Sequence, residues 1–217
     1  MGSINGAGKF GKVKSHSKLA HVVLITNQFQ KMVDYYKAFL GAEASHENEI
    51  MSFLTYDDEH HRIAIAAIPG TGPKDPRSCG LAHIAFSFDT LRDLLQAYTE
   101  RKQHGIEPLW SVNHGPTTSI YYQDPDGNHI ETQVDNFETN DEATVFMQSA
   151  AFAQNPIGTD FDPEDHIRRL AAGEDEAKLK RVEVGPRLVA EKLMGYGCGG
   201  IFFYYLVTGA SNCGMYA

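Results

Sequence analysis

Cysteine is scarce in this 217-residue chain: Cys79, Cys198 and Cys213 stand far apart and are odd in number. That excludes a disulfide framework and fits a reducing, cytoplasmic compartment. Positive charge is also short, with 19 Lys and Arg against 28 Asp and Glu and a formal net charge of −9. Phosphate backbones and anionic bilayers attract basic faces, so neither nucleic acid nor membrane is an expected partner. Long apolar runs are missing, and Ile201–Val207 is far too short to span a bilayer. The opening MGSINGAGKFGKVKSHS has no apolar stretch of signal-peptide type, and its position 6 is Gly where a myristoylation signal has Ser or Thr. Residues 1–17 therefore read as a flexible arm. What the chain does have is 42% hydrophobic residues, enough for one well-buried core.

From Lys18 a pattern begins. LAHVVLIT (19–26) is a short apolar strand. Asn27 with Gln30 resembles a capping box, and Met32, Tyr36, Phe39 and Leu40 form a helical stripe that stops at Gly41. Strands are expected around 43–46, 50–56 and 61–68, then a Pro- and Gly-rich linker over 69–80. The series repeats: GLAHIAFSF (80–88) is a strand, Thr90 and Asp93 cap a helix, and strands follow around 107–112, 118–123 and 129–134. Leu19-Ala20-His21 falls on Leu81-Ala82-His83 at an offset of 83 − 21 = 62. Ala64 falls on Glu131 at 131 − 64 = 67, and the five extra residues fit the loop containing His114.

The expected architecture is α+β. Two repeated βαβββ modules (18–69 and 80–137) form a cup-shaped mixed sheet, and a helical C-terminal extension covers 138–217. In that extension a helix is expected over 141–155, and another over 163–172 with Asp162 as its cap and Pro163 at its first position. Residues 174–182 read as charged and solvated, and a Gly- and aromatic-rich tail starts at Gly195.

Asp124-Pro125-Asp126-Gly127-Asn128 is a turn signal, and the strand after it carries Glu131. A carboxylate within a strand is costly to bury unless something compensates it, and a metal ion can. A single histidine on an apolar strand is more often a satisfied core residue than a ligand. His21 and His83, however, occupy equivalent positions in the two modules, with Glu131 in the last strand of the second. Two imidazoles and one carboxylate, with coordination positions left open, make the facial triad that suits ferrous iron in oxygen chemistry. The fourth corner is Ala64, which cannot ligate.

The segments LAHVVL, LAHIAF, DPDGNHIE, HHRIAI (60–65) and NHGPTTSIYY (113–122) resemble the vicinal-oxygen-chelate superfamily, and within it the type I extradiol ring-cleavage dioxygenases. The resemblance implies Fe(II), with Mn(II) as the alternative, held by His21, His83 and Glu131. It implies His61 as the acid–base residue, and His114 and Tyr121 as groups that hold the substrate oxygens. The substrate would be a small aromatic diol of catechol type, cleaved beside the diol with dioxygen, and the protein a homodimer or higher homo-oligomer. The loop containing His114 is about two residues shorter than in the familiar enzymes. Strand alternation leaves open which of Tyr121 and Tyr122 faces the site. Val23, Leu54 and Ala85, with Trp110, are expected to line the pocket. A glyoxalase-type metal-dependent lyase or isomerase is the competing reading, weakened by Ala64. A non-catalytic binder of aromatic compounds is the third.

Overall fold

The computed structural model describes residues 13–181. Residues 1–12 and 182–217, including Cys198, Cys213 and the tail, lie outside the described residues. The first module comprises β1 (Val22–Thr26), α1 (Phe29–Leu40), β2 (Glu43–Glu47), β3 (Met51–Thr55) and β4 (Ile63–Ala67). The second comprises β5 (His83–Phe88), α2 (Leu91–Gln103), β6 (Trp110–Asn113), β7 (Thr117–Gln123) and β8 (His129–Asp135). Each module forms its own mixed sheet, ordered β1-β4-β3-β2 and β5-β8-β7-β6; β9 (Thr159–Asp160) adds to the second beside β6.

The strand registers superpose. Val23 lies opposite Ala64 in the parallel β1–β4 ladder, and Ala85 opposite Glu131 in β5–β8. Across the next ladder Phe53 faces Ala64, and Tyr121 faces Glu131. The first module spans 64 − 53 = 11 positions there and the second 131 − 121 = 10. Its extra residue falls in the β3–β4 connection, where His61 sits, outside either strand.

One face of each sheet is apolar and packs on helices. Met32, Val33, Tyr36 and Phe39 of α1 join Leu54, Ile63 and Ile65 from the first sheet. Leu91, Leu94 and Leu95 of α2 join Ile120, Tyr122 and Ile130 from the second, and all belong to a single core. Each such side chain contributes about 1.5–3 kcal/mol on burial. Leu54 therefore lies in the core and not on the pocket side where strand parity put it. The modules meet through the Phe39 and Tyr122 rings, 5.1 Å apart, and through the Tyr36 hydroxyl, which donates to Asp124 at 3.0 Å. Buried Arg101 donates from Nε to the Phe39 carbonyl at 2.9 Å and lies 3.9 Å above the Phe39 ring.

Three local expectations change. The α1 cap is Gln28, not Asn27, and it makes no side-chain cap bond. Its amide instead reaches the second module, donating to the Pro125 carbonyl and to Asp126 Oδ1 at 2.8 Å. The helix expected over 141–155 is two, α3 (Asn140–Met147) and α4 (Ala150–Gln154), because Ser149 accepts from the Phe152 amide and starts the second. The segment expected to be solvated contains α6 (Glu176–Leu179), whose Leu179 is buried. The α5 helix (Pro163–Ala171) starts as expected, with Asp162 accepting from the Glu164 amide at 3.0 Å.

These extension elements dock on the second module. Thr159 pairs with Asn113, and the Tyr98 hydroxyl of α2 donates to Glu164 at 3.0 Å. Gly158 has φ +101, and a Cβ there would meet the Asn113 carbonyl oxygen at 2.1 Å, so glycine is required. Among the described residues no helix is long and apolar enough to cross a membrane.

Candidate metal centre

The faces turned away from the core carry the polar chemistry. On the second sheet the row Ala85, Glu131, Tyr121, Trp110 runs across four strands. His83 Nε2 lies 2.9 Å from Glu131 Oε2. Only 5% of Glu131 is exposed, so its carboxylate needs partners. Burial pushes the carboxyl up, but hydrogen bonds from His83 and Ser119 and the nearby His114 outweigh it and hold it below its usual range. It is thus an ionised, acceptor-only group beside an imidazole nitrogen, which is the donor chemistry a divalent cation takes.

Tyr121 shares that face, whereas Tyr122 is fully buried in the core. The Tyr121 ring stacks on Trp110 at 5.3 Å and meets His83 edge-on at 5.7 Å. His114, in the β6–β7 connection, places Nε2 2.9 Å from the Tyr121 hydroxyl and Nδ1 2.5 Å from the Ile157 carbonyl. A carbonyl only accepts, so Nδ1 carries a proton toward Ile157, and Nε2 shares a hydrogen bond with the Tyr121 hydroxyl. Burial, then the neighbouring Glu131 carboxylate, raises the Tyr121 pKa and keeps the phenol protonated.

On the first sheet the corresponding face holds His21, just before β1, and His61. Their rings are 4.3 Å apart, and His61 stacks on Phe53 at 4.7 Å. His61 is buried and its pKa is lowered, first by burial and then by His21 and His60. His60 is exposed, and its Nδ1 contacts that of His61.

The sequence-derived residues thus gather in two groups: His83, Glu131, His114 and Tyr121 on one sheet, His21 and His61 on the other. Among the described residues, no three His, Cys, Asp or Glu side chains form a group placed to hold a metal ion. The pair His83–Glu131 fits such an ion in donor type, and one more donor is needed to complete the triad. A groove of about 620 Å³ beside β1, lined by Val23, Lys74, Cys79, Leu81 and Asp126 among others, includes none of these six residues. Two participants were missed from sequence. Ser119, fully buried, is two residues before Tyr121 on the same strand face, so alternation could have found it. The Ile157 carbonyl had no local signal beyond the neighbouring Gly158.

Residues 18–132 match the Glyoxalase/Bleomycin resistance protein/Dioxygenase superfamily. Biphenyl-2,3-diol 1,2-dioxygenase 2 of Rhodococcus globerulus is 47% identical over 157 residues, which cover 72% of this chain and 83% of that protein. Biphenyl-2,3-diol 1,2-dioxygenase 3 of the same organism is 46% identical over 164 residues, covering 75% and 86%. A solved glyoxylase/bleomycin resistance protein/dioxygenase domain from Frankia sp. EAN1pec aligns with a TM-score of 0.49 at 17% identity, covering 58% of this chain and 96% of that one.

Proposed function

The chain belongs to the Glyoxalase/Bleomycin resistance protein/Dioxygenase superfamily, and from that premise we propose that it is an extradiol ring-cleavage dioxygenase acting on a catechol-type diol. The observation that carries this reading is the pairing of half-buried His83 with buried Glu131, set beside Tyr121 and His114 on an aromatic-lined face. The metal would be Fe(II), with His83 and Glu131 as two of its donors and His21 as the third; bound there it would supply Lewis acidity and a place for dioxygen beside the diol.

The protein's own groups do the remaining work. His114 and Tyr121, linked through Nε2 and the hydroxyl, bind the substrate oxygens and fix the ring's orientation. Trp110 stacks on Tyr121 and extends the apolar surface that receives a second ring, which suits a biphenyl-2,3-diol. His61 accepts a proton from the diol and returns one after ring opening; its lowered pKa keeps the imidazole neutral and able to accept. Ala64, in the register position of Glu131, offers no fourth ligand, which disfavours a glyoxalase-type lyase.

The test is anaerobic loading with Fe(II), then addition of 2,3-dihydroxybiphenyl and air. A yellow ring-fission product that is lost in His83→Ala supports the reading. No turnover of any catechol, with turnover of a hemithioacetal, overturns it.

A further inference from the structure

We infer that Asp160 is a positioning residue: it fixes the Trp110 ring and so makes the site prefer diols that carry a second aromatic ring over single-ring catechols. This rests on the diol-cleaving reading above and adds what sets its substrate preference.

The stretch from Asn155 to Phe161 runs along the edge of β6 and is tied down throughout. The Asn155 side chain closes on Gly158, accepting from its amide and donating to its carbonyl, each at 3.0 Å. Gly158 passes so close to β6 that a Cβ there would lie 2.7 Å from the His114 Cα. Thr159 and Asp160 then pair with Asn113 and Val112, and the Phe161 amide donates to the Ser111 carbonyl at 3.2 Å.

From this frame two acceptors reach the substrate-holding face. The Ile157 carbonyl accepts from His114 Nδ1, and Asp160 Oδ1 accepts from the Trp110 indole N–H at 2.8 Å. The indole stacks on Tyr121, with 5.3 Å between centroids and 22° between planes, and meets His114 edge-on at 5.7 Å. Trp110 is therefore held on one edge by Asp160 and on one face by Tyr121. A carboxylate is a stronger acceptor than a neutral group. Its backbone is already paired, so little freedom is left to lose in making the bond.

Placement turns this into selectivity. Trp110 on β6 stands two strands from Glu131 on β8, about 10 Å at ordinary strand spacing. A diol ring anchored beside Glu131 and Tyr121 stops short of the indole, whereas an aryl substituent reaches it and stacks. Freeing the indole plane weakens the contact with the second ring and leaves the hold on the diol in place.

The chain has one tryptophan, so indole fluorescence reports Trp110 alone. In the Fe(II)-loaded full chain, Asp160→Ala should shift the emission maximum and increase quenching by acrylamide, whereas Asp160→Asn, which keeps an acceptor, should match the wild type. In Asp160→Ala, kcat/KM for 2,3-dihydroxybiphenyl should fall about tenfold, through KM, against less than about twofold for catechol, and Asp160→Asn should restore it. Trp110→Phe keeps a ring without the N–H and should show the same split, with no further loss in the double variant. Unaltered emission in Asp160→Ala, equal losses on both substrates, or additive losses in the double variant overturn the inference. A wild type that turns over no catechol overturns the ring-cleavage reading, and the emission comparison then decides the role of Asp160 by itself.

Discussion

The two modules share strand order, register and helix placement, yet their outward faces differ in how they are held. In the second, Glu131, Ser119 and Tyr121 are buried, and β9 with the segment before it backs His114 through the Ile157 carbonyl. In the first, His21, Val23 and Ile25 stand in solvent, and where Glu131 has its counterpart there is Ala64. The two scaffolds are alike, and the described part of the extension docks on the second through Thr159, Glu164 and Lys180. The second module is pre-organised for charge, because a buried carboxylate must be given fixed partners. The first offers a more open surface that carries His21 and His61.

That contrast can be broken most sharply at the carboxylate. Glu131→Ala should abolish iron binding and lower kcat by well over about 100-fold, since even partners of ligands cost 10–100-fold when removed. Metal analysis and oxygen uptake check this. His61→Phe should reduce kcat by about 100-fold or more while catechol still binds, as read by substrate titration under anaerobic conditions. Unchanged turnover would remove His61 from the chemistry. Tyr121→Phe should weaken kcat/KM about tenfold, the worth of one hydrogen bond of about 1.4 kcal/mol, with iron content unaltered.

Stability changes sharpen the comparison further. Gly158→Ala should cost about 1–3 kcal/mol in denaturant unfolding, because the added methyl collides with the Asn113 carbonyl and must displace β9. The smallest effect concerns pH. His166, packed on Phe161 in the extension, has its pKa lowered from 6.5, first by burial and then by Arg169. The neutral form is favoured in the folded state. Its contribution is therefore complete above about pH 6.5 and erodes as pH falls toward the lowered value. His166→Leu should flatten that part of the stability profile.

Much of this was legible in the residues. The repeated Leu-Ala-His and the offsets of 62 and 67 outlined both modules, while alternation left open which of Tyr121 and Tyr122 shares a face with Glu131. The remainder depended on contacts between distant residues. Asn27 satisfies the local capping pattern, but the helix starts after Gln28, whose side chain is engaged by the turn around Asp126, 98 positions away. Leu54 and Tyr122 alternate as regularly as their neighbours, and only the packing of α1 shows which side faces the core. His114 takes its orientation from Ile157, 43 residues on, so no motif around it reveals the support. The separation of His21 from Glu131 follows from which sheet faces the shared core favours, a property that strand periodicity does not encode.

The most direct measurement is a crystal structure of the Fe(II)-loaded protein with anomalous scattering at the iron edge. The account predicts one iron peak per chain, ligated by His21, His83 and Glu131 and by no fourth side chain, with the remaining positions open to solvent. An iron ringed by four or more protein atoms, or one bound away from Glu131, would contradict it.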